Sequence, residues 1–401
     1  MTDSSTLRVS PVSLRRHESL RERALDRESP LRRLDWVLIL AIGGLCTLGA
    51  LLVWGATKPN QVAHGLDPNA FLKKDILNIG IGLSLATLAA LVDYRTIRAY
   101  APVVYAASLG GLIAVLVPHV GATINGSHSW IPLGGGFEVQ PSEFAKIAII
   151  VLMAMLLGEQ RDSTQEGPDG RDVWLTLAVC AFPVLLVLAQ PDVGTIMVLG
   201  FVIFGVISLS GVSSRWIVGM LLVAVIGAIV ITHLHLLKQY QLDRLTSFTN
   251  PTKDTQGIGF NTHQARIAIG SGGWFGEGLF HGTQTNGHFV PEQQTDFVFT
   301  VAGEELGLLG AGFLVVLVGV VLWRGLSIAA RAGDAFGTLV AVGIVCWFGF
   351  QAFENIGMTV GIMPVTGLPL PFVSYGGSSM FAQGLALGLL QAVHRRSSRN
   401  A

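Results

Sequence analysis

The sequence predicts an all-α polytopic membrane protein of about ten transmembrane helices, with one large extracytoplasmic loop between helices seven and eight. Three observations predict it. Hydrophobic residues make up 51% of the 401 residues and charged residues only 13%, about half the charge of a typical soluble chain. Apolar segments recur along nearly the whole length, many of them near the roughly 20 residues that cross a bilayer. Residues 238–297 interrupt the series with a polar, glycine-rich stretch of 60 residues.

The elements follow in order. Residues 1–36 hold eight arginines and six acids but no apolar run, which excludes a signal peptide and predicts a disordered cytoplasmic tail. Ten spans are expected at 37–56, 75–92, 100–118, 144–158, 173–189, 193–210, 216–237, 298–322, 336–360 and 376–393. Lys/Arg asymmetry orients them. With the N-terminus in the cytoplasm, 18 of the 26 basic residues fall inside and 8 outside. The C-terminus then returns to the cytoplasm and the long loop faces outward. This gives one membrane domain, 37–393, between tails at 1–36 and 394–401. The formal charge of zero suggests no nucleic-acid partner. Cys46, Cys180 and Cys346 all lie in apolar segments, so no disulfide framework is expected.

Polar information collects on the outer side. A loop as long as 238–297 inside a compact domain is functional or disordered. This one carries Tyr240, Trp274 and several Phe with nearly balanced charge, unlike a disordered segment. It is expected to be a folded catalytic or binding element. Residues 119–143, the turn at 190–192 and residues 363–379 share that side, while 57–74 reads as a plain linker.

Asp296 stands where the long loop meets an apolar run. It is either a reactive carboxylate at a membrane mouth or a helix N-cap. Glu304 and Glu305 lie in the same span, about 12 Å deeper along the helix. Intramembrane acids default to paired or functional roles, and the shared face of Gln351, Glu354 and Asn355 is the expected source of partners. Glu143 and Lys146 follow Pro141, which opens a helix. They form a structural salt bridge, or else Lys146 faces an outward cavity and holds an anion such as a diphosphate. Arg244, Lys253 and Arg266 could share that task. Trp130 is a belt tryptophan or part of a tight, re-entrant loop with Gly134–Gly136. The glycine runs around 270–278 and 375–377 match no nucleotide-binding fingerprint, but they permit close backbone approach.

Several long motifs then occur in a fixed order: GSHSWIPLGGGFEVQPSEFAK, QPDVGT, IAIGSGG, GTQ, VPEQQTDFVF, GEELG, NIGM and MPVTGLPLPFVSYGGSS. In these the chain resembles the SEDS family (shape, elongation, division and sporulation) from about residue 34 onward. The GTQ at 282–284 favours its RodA branch over its FtsW branch. The resemblance implies a peptidoglycan glycosyltransferase for cell elongation and rod shape, with Asp296 as catalytic acid/base. It implies polymerisation of lipid II from undecaprenyl-diphosphate-linked glycan, beside a class B penicillin-binding protein. Trp130, Glu143, Lys146, Arg244, Lys253, Gln264, Ser271, Thr295, Glu304 and Ser378 become candidate substrate-binding positions. A divalent cation, Mg or Mn, could share the neutralisation of the leaving group. A flippase or transporter is the rival reading, against which the one-sided polar weight speaks.

Overall fold

A computed structural model describes residues 34–124, 127–134, 137–164, 167–233 and 258–400. Among these, ten helices of 17 residues or more answer the ten apolar segments. They are α1 (Trp36–Ala63), α2 (Ala70–Leu91), α3 (Tyr94–Leu116), α4 (Pro141–Thr164), α5 (Gly170–Ala189), α6 (Val193–Leu209), α7 (Ser214–His233), α11 (Gly307–Ala330), α12 (Ala335–Val360) and α13 (Gly377–Asn400). Shorter helices α8 (Ile258–Ser271), α9 (Thr283–Asn286) and α10 (Val298–Glu305) lie within and just after the long loop. The protein is a multi-pass membrane protein.

Helix starts follow the local chemistry. Asp35, Asp93, Asp192 and Asp334 each accept a first-turn amide, from Leu38, Arg95, Thr195 and Gly337. Such caps contribute about 1 kcal/mol each. α4 opens on Pro141, as a helix prefers. α4 and α12 are the most buried spans, while α3, α5 and α11 bury little of their apolar surface in the protein.

The expected eighth span, 298–322, is not one helix. α10 ends at Glu305 with Leu306 as its C-cap, and Gly307, the first residue of α11, takes φ +66°. A side chain on Gly307 would run into the backbone of Phe275 and Gly276. The break is clamped by the preceding loop. Leu308 and Leu309 amides bond the carbonyls of Gly273 and Trp274 (2.9 and 3.1 Å), and Glu277 N bonds Glu304 O (2.9 Å). An apolar run with a mid-run glycine reads as continuous; here the loop backbone takes the place of a helical turn.

Two further expectations are corrected. Residues 57–74 are not a linker, because α1 runs to Ala63 and α2 starts at Ala70. Within the 119–143 segment lies a three-stranded antiparallel sheet, β1 (Ala122–Ile124), β2 (Ser127–Gly134) and β3 (Phe137–Val139), in the order β1-β2-β3, ahead of α4. Alternating residues such as Ser-His-Ser-Trp-Ile suit a pleated, half-buried surface better than a re-entrant turn. At the opposite end of the bundle, Arg324 grips the Asp35 carboxylate through two nitrogens (2.7 and 2.9 Å to Oδ2). Gln391 bonds the Asp35 backbone in both directions (3.0 and 3.2 Å). One buried polar knot thus joins α1, α11 and α13.

Candidate active site

At the end of the molecule that carries the sheet, a cavity of about 490 Å³ opens between α2, β2, the turn before α6, the 292–296 turn and the start of α13. Asp296 is in its wall. The turn that presents it is tight: the amides of Thr295, Asp296 and Phe297 all point to the Glu292 carbonyl (3.0–3.2 Å), and Glu292 itself has φ +53°. The Asn355 side chain donates to Asp296 O and to Leu368 O, 2.7 Å each. This fixes Asp296 against the 361–376 segment. There, Gly367 (φ +78°) lies against the carboxylate, and a Cβ on it would come within 3.2 Å of Oδ2. The cap position of α10 belongs to Phe297, so Asp296 stands outside it. The cap role weighed from sequence does not apply.

The rest of the wall explains how this place is held. Asp192 also faces the cavity, but its carboxylate is occupied by Gln140 Nε2 (2.9 Å) and by Thr195 N and Oγ1 (3.0 and 2.8 Å). Ser378 is buried. Its hydroxyl donates to Glu138 O (2.9 Å) and accepts the Gln140 amide (3.0 Å), stapling β3 to the first turn of α13. Tyr375 anchors to the loop through its amide and Gln294 O (2.9 Å). Its phenol is pushed above the usual tyrosine range by burial, with Asp75 and Glu138 adding to the shift.

Of the residues expected at the site, Asp296, Thr295, Trp130 and Ser378 share this cavity. Lys146 does not reach it. Its ammonium is fully buried, 2.6 Å from Glu143 Oε1, 3.3 Å from Gln351 Oε1 and 4.7 Å from the Trp347 ring. A buried ammonium is tolerated only when paired, and Glu143 one turn earlier supplies the pair. The expectation of a cavity-facing Lys146 is therefore corrected to the salt bridge. That bridge is still tied to the site, because Gln351 Nε2 donates to Pro369 O (2.7 Å) in the cavity wall.

Glu304 is also a support. Its carboxylate accepts Gln284 N (2.6 Å), Thr285 N (2.9 Å) and Thr285 Oγ1 (2.6 Å), and Glu305 accepts Phe280 N (3.0 Å). Loop amides, rather than the polar face of α12, bind the acid pair, and Glu305 Oε2 stays buried without a hydrogen-bond partner. Gln264 and Ser271 lie on α8 away from the cavity wall, and Ser271 Oγ bonds Ala268 O (2.9 Å). The exposed Arg266 packs against Gly361. Arg244 and Lys253 lie outside the described residues.

Sequence reading missed Lys74, the basic residue in the cavity wall among those described, and with it Phe71, Asn78 and Ile81. Their spacing of three, seven and ten residues marks one helical face, and a lysine and an asparagine inside an apolar helix were the available signal. Acids outnumber Lys74 in the described wall: Glu138, Asp192, Glu292 and Asp296. Yet no three ligating side chains converge among the described residues. A metal site built by protein side chains alone does not fit the described residues.

A bundle of membrane helices with Asp296 and three further acids in the wall of a mixed polar and apolar cavity fits an intramembrane enzyme acting at the bilayer surface. The family described as "Cell cycle protein" (FtsW, RodA, SpoVE) matches residues 36–399, and the chain belongs to it. Stage V sporulation protein E of Bacillus subtilis (strain 168) is 37% identical over 364 residues, covering 90% of this chain and 97% of that one. Peptidoglycan glycosyltransferase MrdB of Escherichia coli (strain K12) is 37% identical over 361 residues, 90% and 93% of the two chains. Among solved structures, a chain of a peptidoglycan synthase complex coordinating polymerization and crosslinking superposes with TM-score 0.74 at 32% identity, covering 90% and 98%. The rod shape determining protein RodA of Thermus thermophilus gives 0.65 at 31% identity, covering 90% and 97%.

Proposed function

We propose that this protein is a peptidoglycan glycosyltransferase that polymerises lipid II on the outer face of the cytoplasmic membrane for cell elongation. The observation that carries the reading is the position of Asp296. It is fixed by Asn355 and Gly367 in the wall of a cavity between membrane helices, with Lys74 in the same wall. Asp296 takes the proton of the acceptor sugar hydroxyl as that oxygen bonds the anomeric carbon of the donor glycan. The bond from that carbon to the lipid diphosphate breaks, and the diphosphate leaves with the electron pair. Positioned bases contribute about 10²–10⁴-fold, and a cation near the leaving group offsets the charge that develops there. Lys74 fills that role.

Both termini lie in the cytoplasm in this reading, as the Lys/Arg asymmetry requires. A class B penicillin-binding protein crosslinks the product, in keeping with the synthase complex to which the fold is similar. Purified protein incubated with lipid II tests the reading: glycan chains are the expected product. Translocation of lipid II without polymer would favour the flippase, and neither activity would overturn both.

A further inference from the structure

Along its whole length α2 buries Asp75, Asn78, Gly82 and Ala86. Two of these are polar, and they share one face at i and i+3. Asp75 is 2% exposed and Asn78 4%. Oδ1 of each has no hydrogen-bond partner, an arrangement that folded proteins avoid unless something else supplies the donor. Neither residue is used by the mechanism above.

Their surroundings define what that donor is. Asn78 lines the cavity, and Gly377 at the start of α13 lies across from it, where a Cβ would sit 3.3 Å from Asn78 Oδ1. Asp75 acts electrostatically on Tyr375, whose ring lines the cavity and meets Phe71 edge-on at 5.3 Å. An ionised phosphate offers no donor to Asn78 Oδ1. A further cation is disfavoured by Lys74, next in the chain and in the same wall. A neutral donor remains: a hydroxyl or an amide N–H. Sugars with acetamido groups present both, along with an apolar ring face that suits aromatic side chains.

We propose that Asn78, with the Tyr375–Phe71 pair, forms a saccharide subsite whose Asn78 Oδ1 accepts hydroxyl or acetamido N–H donors of the bound glycan. The proposal rests on the glycosyltransferase reading and assigns part of its cavity.

The test uses full-length protein carrying Asp296→Asn, so that ligands bind without polymerising. The probes are lipid II and undecaprenyl diphosphate, which has no sugar. Asn78→Leu keeps the branched four-atom shape of the side chain while removing the acceptor. Replacing a buried unpartnered polar group by an apolar one of similar shape is neutral or stabilising, so thermal unfolding is expected to hold or rise. Lipid II binding is expected to weaken about 5-fold for Asn78→Leu. Undecaprenyl diphosphate binding is expected to stay unchanged. Equal weakening of both probes, no weakening of either, or a loss that appears only with Mg²⁺ present would each overturn the subsite. If the Asp296→Asn parent itself fails to bind lipid II, the glycosyltransferase reading falls first and the subsite with it.

Discussion

Asn355→Leu isolates how Asp296 is held. Asn355 is fully buried, and its one amide nitrogen serves Asp296 O and Leu368 O at 2.7 Å each. Leucine keeps the approximate shape and removes both bonds. Two carbonyls left unmet cost about 1–3 kcal/mol each. Part of that returns, because Asn355 Oδ1 is itself buried without a partner and disappears with the substitution. A net cost of about 2–4 kcal/mol follows, concentrated where the 292–297 turn meets the 366–370 segment. Freed from this tie, Asp296 shifts relative to the acceptor hydroxyl, and a displacement of about 1 Å costs about 10²-fold in rate. Polymerisation of lipid II by the purified variant should lose that factor in kcat with little change in KM. Amide exchange should rise in residues 292–297 while α4 stays protected. Full polymerisation rate despite lost protection would show that Asn355 does not position the chemistry.

Three other outcomes are expected. Gly307→Ala places a side chain at φ +66° against the Phe275–Gly276 backbone; the left-handed geometry alone costs about 1–2 kcal/mol, so folded yield and activity should fall together, as size-exclusion chromatography and a lipid II assay would report. Arg324→Leu leaves the Asp35 carboxylate buried and unpaired, a loss of about 3–5 kcal/mol in unfolding experiments in detergent, and Asp35→Leu added to it should restore much of the loss. Burial and the neighbouring His64 hold the His288 imidazole below its ordinary 6.5, so the folded loop favours the neutral form. As pH falls from 6.5 toward that lower folded value, protonation favours the opened loop and exchange of amides 280–290 should rise; above 6.5 the effect is absent, and His288→Gln should abolish it.

The fold was largely legible because the bilayer imposes its own length on apolar segments, and Asp caps and Pro141 mark helix starts with local chemistry. What escaped depends on residues far apart in the chain. Gly307 looks like any glycine in an apolar run until the loop at 273–276 takes over its hydrogen bonds. Glu304 shows no partner in sequence because its partners are backbone amides some twenty residues upstream. The two lysines illustrate the limit most clearly. Lys146 and Lys74 both sit near a helix start beside a polar segment. Lys146 carries its own counter-ion at i−3 and turns inward, whereas the same position before Lys74 is Phe71 and its face continues into the cavity. The motif around Lys146 drew attention to the support, while the cation in the wall lay in a stretch that read as a linker.

Asp296→Asn bears most directly on the chemistry. The Asp296 carboxylate can accept a hydroxyl proton. Asparagine keeps the size and a carbonyl acceptor but cannot take that proton. The backbone bonds that hold the turn, from Asn355 and to Glu292, do not involve the side chain, so the variant should fold and still bind lipid II. Polymerisation should fall at least about 10²-fold, or about 2.7 kcal/mol in barrier. A purely structural Asp296 predicts otherwise, since Asn replaces Asp well wherever only a cap or a turn is at stake. An Asn variant that is folded, binds lipid II and makes glycan at near the parent rate would remove Asp296 from the reaction and leave it as part of the scaffold.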